Sequence, residues 1–414
     1  MNHTDMASGA PRLCCLDLDT FFVSVERLHD PRLRGVPVVV GGRRGGAGVV
    51  TSASYEVRAF GVRSGMPIRE ASQRAPRNAV FVPGNAEAHG DYSDRARRIV
   101  ERYSPMVIAA SIDEQYIDFH GCERLYRRPG DADDDAAILR TVREMTHAID
   151  RELGLPASAG IAVTKPMAKV ASGLAKPQGV LLVRAGTEAA TLAPLPVRKL
   201  PGIGPVAEER LRAAGIATLG QLVAAPESTL RRIFGSYTAG IRRAAQGDGA
   251  DELGRERPAF REYDPQGAIS GTISNERTFV EATPDTAREV LSGLCERVAS
   301  RGRRRGVVAG QLTLKLRYVD FHTLTHGCVI APTSVDFELH RTALELYRQA
   351  RFRTLPIRLL GLQLSRLRLD AAQLSLFDGG ERRSAAVDRV RDRFGYHAVH
   401  LATSLGRGAR RQSQ

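Results

Sequence analysis

The chain has 414 residues, more than one ordinary hydrophobic core accommodates, so about two to four domains are expected. Hydrophobic residues make up 43% and charged residues 26%, as in a soluble globular protein, and no apolar run reaches the roughly 20 residues that a membrane-spanning helix needs. The net charge of +14 favours a polyanionic partner, while a coding bias toward arginine, with five lysines among 60 basic residues, is a second origin for it.

Residues 1–11 are polar and small and lack the basic and apolar regions of a secretion signal, which predicts a disordered extension on a cytoplasmic protein without a membrane partner. A short apolar strand is predicted over 12–19, with Cys14 and Cys15 on opposite faces, and a helix over 21–28. The five cysteines are odd in number and form no CxxC pair, so they read as buried thiols. Strands at 36–40 and 49–52 flank a Gly/Arg-rich turn, and short helices fit 55–60 and 68–74, the second stopped by Pro76. A long helix at 86–103, a strand pair within 107–119, a helix at 134–153 and a strand at 157–163 follow. With the first strand these give β-α-β-β-α-β, the split βαβ arrangement, interrupted by an insertion over 20–84.

Short helices are predicted for 180–245, then a polar, Gly-rich linker at 246–258. Strands at 267–279, 307–318 and 358–369 and helices at 284–301 and 335–350 make a second α+β domain. Over 255–370 it carries 19 Arg/Lys against 13 Asp/Glu, with Arg301, Arg303, Arg304 and Arg305 clustered. A Gln-Leu-Ser-Leu-Phe peptide and a helix near 384–405 close the chain.

Asp17-Leu18-Asp19 ends the first strand, and Ser111-Ile-Asp-Glu114 lies in a hairpin. The split βαβ topology makes the first and third strands central neighbours and brings Asp17 within reach of Asp113 and Glu114. Clustered carboxylates in a basic protein repel unless a cation sits between them. Two Mg²⁺ ions about 3.5–4 Å apart would neutralise them, activate a hydroxyl nucleophile and hold a triphosphate leaving group. Asp17 rather than Asp19 is taken as the ligand, because the chain must turn into the helix at Thr20; Asp118 is given a structural role. Tyr55 and Arg58 share a face of a short helix and, with Lys169, supply phosphate clamps. Lys165, Lys169 and Lys176 hold three of the five lysines within a dozen residues; a phosphate needing compact ammoniums and chance clustering both account for that.

Asp17-Leu-Asp-Thr-Phe-Phe-Val-Ser-Val-Glu26, Tyr55-Glu-Val-Arg58, Phe60-Gly-Val-Arg-Ser-Gly-Met-Pro67, Ser111-Ile-Asp-Glu114 and Ala168-Lys-Val-Ala-Ser172 with Lys176-Pro-Gln-Gly179 occur in that order. The chain thereby resembles Y-family translesion DNA polymerases of the bacterial DinB branch over roughly 12–370 and into the tail. The resemblance implies an α+β multidomain fold: a split βαβ (ferredoxin-like) palm at 12–20 and 85–180, and fingers at 21–84. A helix–hairpin–helix thumb at 181–245, a linker at 246–258 and a little finger at 259–371 follow, with a clamp-binding peptide and C-terminal helix at 372–414. It assigns metal binding to Asp17, Asp113, Glu114 and the Leu18 carbonyl, and triphosphate contacts to Tyr55, Arg58 and Lys169. Phe21 and Phe22 fall beside the nucleotide. Phe22 becomes the steric gate occupying the space of a ribose 2′-OH, and Phe21 fits a core position better. Gly173, where relatives often carry Asp, and Gln115, where a small residue is commoner, depart from the pattern.

Pro201-Gly202-Ile203-Gly204 between helices has the helix–hairpin–helix pattern, in which glycines let backbone N–H groups approach a phosphate. The basic domain, through Arg303, Arg304 and Arg305, would hold duplex DNA by its phosphates. Gln373, Leu374, Ser375, Leu376 and Phe377 match the bacterial sliding-clamp binding pattern. The expected function is templated, low-fidelity DNA synthesis from dNTPs on primer-template DNA by a monomer with two Mg²⁺. A nucleotide cyclase and a catalytically modified DNA-damage adaptor are the alternatives.

Overall fold

The computed structural model describes residues 10, 12–248, 268–269, 271–282, 284–350, 353–369 and 380–400. Most of the expected N-terminal extension, most of the linker, and all of Gln373 to Phe377 lie outside the described residues. The chain divides into two compact units, Met1–Arg257 and Pro258–Gln414.

Unit 1 runs β1 (Leu13–Leu18), α1 (Phe21–His29), β2 (Val38–Val40), β3 (Ser52–Ala53), α2 (Tyr55–Arg58), α3 (Ile68–Arg74), β4 (Val80–Val82) and α4 (Ala86–Val100). Then come β5 (Val107–Ala109), β6 (Glu114–Asp118), α5 (Glu123–Tyr126), α6 (Asp134–Leu153), β7 (Ala157–Ala162), α7 (Lys165–Ala175) and β8 (Val180–Leu182). Among the described residues, β5-β6-β1-β7-β8 form one sheet. Strand β1 runs antiparallel to β6 and β7, and β8 adds a parallel edge to β7. This is the predicted split βαβ sheet with one extra strand. Its central strand is apolar because both faces are covered: Cys14, Leu16 and Leu18 pack with α4 and α6, and Cys15 packs with α7.

The helices begin and end where their capping residues dictate. The Asp133 side chain accepts the Ala136 N–H at 2.7 Å to start α6, and Gly154 at φ +67 ends it. Thr164 accepts the Met167 N–H to start α7, with Pro166 in the first turn. The insertion forms its own sheet, β3-β2-β4, over a core of Val39, Val50, Ala53, Val57, Ile68 and Ala71. The strand expected at 49–52 forms only at Ser52–Ala53; Val49 instead makes an isolated bridge to Pro67. Five helices complete the unit, α8 (Glu188–Leu192), α9 (Pro205–Ala213), α10 (Leu219–Ala224), α11 (Glu227–Phe234) and α12 (Thr238–Ala245), around Leu211, Leu219, Leu222 and Leu230 among the described residues.

Unit 2 contains β9 (Ala268–Ile269), β10 (Ile273–Ala282), α13 (Pro284–Arg304), β11 (Val307–Tyr318), β12 (Thr323–Thr333), α14 (Asp336–Ala350), β13 (Ile357–Leu369) and α15 (Gly380–Phe394). Its sheet has the order β10-β13-β11-β12, with β9 on β13. Alternation over residues 312–318 of β11 buries Leu312, Leu314 and Leu316 against Leu291, Leu294 and Val298 of α13 and Leu339 and Leu346 of α14. Burial of each such side chain contributes about 1.5–3 kcal/mol. Helix α15 returns to the unit through ion pairs, and among the described residues no helix is long and apolar enough to cross a membrane.

Candidate active site

The β1–β6 register sets Asp17 opposite Glu114, and the Leu18 N–H donates to the Asp113 carbonyl at 2.9 Å. The hairpin turn is thus pinned to the end of β1, with three carboxylates at one end of the sheet. Glu114 is buried and Asp113 half-buried; the Ser111 hydroxyl donates to Asp113 Oδ1 and accepts the Glu114 N–H at 3.1 Å. Burial pushes the Asp17 carboxyl above its ordinary range; Lys176 opposes this, and the nearby Asp113 and Glu114 charges push it further up.

Two ammoniums are seated on these acids: Lys169 Nζ donates to Glu114 Oε2 and Lys176 Nζ to Asp17 Oδ1. Burial alone would lower the Lys169 pKa, but Glu114 outweighs it and the net shift is upward. The position of Lys169 follows from Gly160 on β7. A Cβ there would stand 2.1 Å from the Ser172 N and 2.2 Å from the Ala168 O, so only glycine lets α7 lie this close to the sheet. Gly173 points a missing Cβ into open space, so its departure from the family pattern disturbs no packing around Lys169. Gln115 is buried, and its Oε1 has no hydrogen-bond partner among the described residues.

Asp19 has a role that sequence reasoning missed. It is 1% exposed and accepts from Ser158 Oγ at 2.7 Å, the Gln178 N–H at 2.8 Å and the Tyr55 hydroxyl at 3.3 Å, with Lys176 Nζ at 3.4 Å. The chain leaves β1 after Leu18 and passes through Thr20 at φ +44, a left-handed conformation uncommon outside glycine. Asp17 and Asp19 share the Lys176 ammonium, but Asp19 is 1% exposed and taken up by Ser158, Gln178 and Tyr55, whereas Asp17 stays half-buried beside Glu114. Lys176 was also overlooked as a site residue, although it is the third lysine of the noted cluster.

Tyr55 and Arg58 lie together, the guanidinium 5.1 Å from the ring centroid, and Arg58 Nε donates to the Ala53 carbonyl at 2.9 Å. Burial and the Asp19 carboxylate push the Tyr55 hydroxyl up to about 12, so it is a hydrogen-bond donor at neutral pH. Phe22 is half-buried on α1, whereas Phe21 is 2% exposed within the sheet's core. The first turn of α1 directs the Phe21 side chain into the packing under β1, the core position expected of it.

Gly202, at φ +96, and Gly204, at the N-cap of α9, occupy the turn before that helix. Ile203 does not present its backbone as expected. Its side chain is buried, its N–H donates to Leu200 O at 3.2 Å, and its carbonyl accepts from Arg198. Arg303 is also corrected as a DNA contact: its guanidinium is consumed by Asp388 at 2.7 Å and Asp336 at 3.1 Å, with a side chain only 12% exposed. Arg304 pairs with Asp392 and is exposed, as is Arg305.

As the side chains stand, no three Asp, Glu, His or Cys groups among the described residues form a closed metal cage. The donor set nonetheless suits hard divalent cations, being all carboxylate and backbone oxygen. The two lysines drawn onto the acids show that this corner attracts positive charge.

The impB/mucB/samB family matches residues 16–173, its C-terminal domain 270–376, and the IMS family HHH motif 186–216. The DNA polymerase IV of Dehalococcoides mccartyi is 35% identical over 403 residues, covering 94% of this chain and 96% of the relative. DNA polymerase IV 2 of Mesorhizobium japonicum is 36% identical over 417 residues, covering 95% and 94%. Among solved structures, the Y-family DNA polymerase chimera Dbh-Dpo4(243-245)-Dbh superposes with a TM-score of 0.70 at 23% identity, covering 86% of this chain and 99% of that one. DinB from Sulfolobus solfataricus gives 0.59 at 23% identity with the same coverage. These structural likenesses establish the multidomain α+β fold.

Proposed function

Since the chain belongs to the impB/mucB/samB family of Y-family DNA polymerases, we propose that its three-carboxylate corner performs templated nucleotidyl transfer from a dNTP to a primer 3′-OH. The chain is a DNA-directed DNA polymerase of the DNA polymerase IV kind, and membership of that group implies translesion synthesis. The observation that carries the site assignment is the pairing of Asp17 with Glu114 across β1 and β6, with Asp113 pinned to Leu18.

In this reading Asp17, Asp113, Glu114 and the Leu18 carbonyl would hold two Mg²⁺ ions, which supply charge neutralisation of the triphosphate and acidification of the attacking hydroxyl. Lys169, Tyr55 and Arg58 bind the triphosphate oxygens. Lys169 and Lys176 keep the carboxylates paired until substrate arrives, so the acids are never left as uncompensated buried charge. Phe22 excludes a ribose by occupying the space of its 2′-OH. The palm is 12–20 with 85–180, the fingers 21–84, the thumb 181–245 and the little finger 259–371. Gly202, Gly204, Arg304 and Arg305 are proposed to meet primer-template phosphates, and Gln373 to Phe377 a sliding clamp, for a cytoplasmic monomer.

The test is extension of an undamaged primer-template by the purified protein with single dNTPs. Incorporation that follows the template base is the expected result. Cyclisation of the nucleotide without DNA would identify the cyclase alternative, and DNA binding without incorporation the adaptor.

A further inference from the structure

Phe22 and Glu26 lie one turn apart on α1, and both meet the same residue of α4, His89. The imidazole lies face to face with the Phe22 ring, centroids 4.1 Å apart and planes 14° from parallel. Its Nε2 is 2.9 Å from Glu26 Oε1, which also accepts the Asn85 N–H at 2.7 Å. The carboxylate is therefore tied to α4 at two points, and the histidine side chain is only 6% exposed. Behind it, Gly84 at φ +87 could carry no Cβ without standing 2.7 Å from Val40 Cγ1 and 3.3 Å from His89 Cε1. The chain thus closes on the imidazole from the side of β2. Burial lowers the His89 pKa more than Glu26 raises it, so the ring is neutral near pH 7 and its Nε2–H donates to Glu26.

A steric gate discriminates through a clash that it cannot relieve by moving. A phenylalanine on the first turn of a helix can rotate about two side-chain bonds, so selectivity requires something to hold its plane. We propose that His89 is a positioning residue for sugar selection: stacked on Phe22 and fastened to Glu26, it holds the gate ring against displacement by a ribose 2′-OH. This rests on the reading of Phe22 as the gate.

The experiment measures kcat/KM for a dNTP and the matching rNTP in primer extension, for the wild type, His89→Leu, His89→Phe, Phe22→Ala and the double variant Phe22→Ala with His89→Leu. Aromatic stacking of this kind corresponds to a change of up to about tenfold in the dNTP/rNTP ratio. His89→Leu should lower the ratio by that order, carried by a lower ribonucleotide KM. His89→Phe, which keeps a ring to stack, should hold it within about twofold of wild type. Because His89 acts through Phe22, adding His89→Leu to Phe22→Ala should change nothing further. A Phe22→Ala that lowers the ratio beside a His89→Leu that does not would overturn the role of His89 and leave the gate standing. A Phe22→Ala that keeps full discrimination would overturn both. Additive effects in the double variant, or a His89→Phe as permissive as His89→Leu, would also sink the proposal. If His89→Leu does not fold, His89→Ala carries the same expectation.

Discussion

At the scale of single residues, the site depends as much on Asp19 as on the acids beside it. Its buried carboxylate gathers Ser158, the Gln178 backbone and Tyr55, so it links the end of β1 to the insertion that carries Tyr55. Asp19→Leu removes every acceptor at once and strands the buried Ser158 hydroxyl, which costs about 1–3 kcal/mol. We expect a lower thermal midpoint together with a raised KM for dNTP; an unchanged KM would show that Tyr55 keeps its place without Asp19. The sequence made Asp17, Asp113 and Glu114 legible through motif order and through the topology that pairs their strands. It hid Asp19 because its partners, Ser158, Gln178 and Tyr55, lie 36 to 159 residues away in sequence and no local pattern announces them.

Among the elements, the strongly patterned ones were readable from sequence. Helices α3 and α6 begin and end where Pro76, Asp133 and Gly154 place their boundaries, and β11 alternates without exception over 312–318. Strands β8 and β12 escaped notice for physical reasons. Strand β8 is three residues long and half-buried, and β12 is an edge strand whose alternation over Leu324, Cys328 and Ile330 is interrupted by His326. Helix α15 was expected, but its attachment was not. Arg391 and Glu296 form an ion pair with side chains 1% and 0% exposed, a contact that no local pattern announces. Replacing Arg391 by Leu leaves Glu296 as a buried, poorly compensated charge and should destabilise unit 2 by about 3–5 kcal/mol. Chemical denaturation checks this, and a loss below about 1 kcal/mol would mean that α15 contributes little to the unit's stability.

For the molecule as a whole, two units with separate cores carry a net charge of +14 and the sequence of a template-directed polymerase. If several Lys and Arg side chains neutralise DNA phosphates, affinity for primer-template should fall steeply with salt, by roughly 10³ or more between 50 and 200 mM for about six contacts. A flat salt dependence would remove the electrostatic grip from the account. If, as proposed, DNA binding is spread over the chain while chemistry is confined to one sheet end, the two should separate cleanly. Single-turnover incorporation by Asp113→Asn, with DNA affinity measured on the same preparation, tests this most directly. Wild-type affinity with incorporation reduced at least about a thousandfold is the predicted result, since an interaction made mainly in the transition state is removed. Incorporation at the wild-type rate would contradict the assignment of the carboxylates at the ends of β1 and β6 as the catalytic centre.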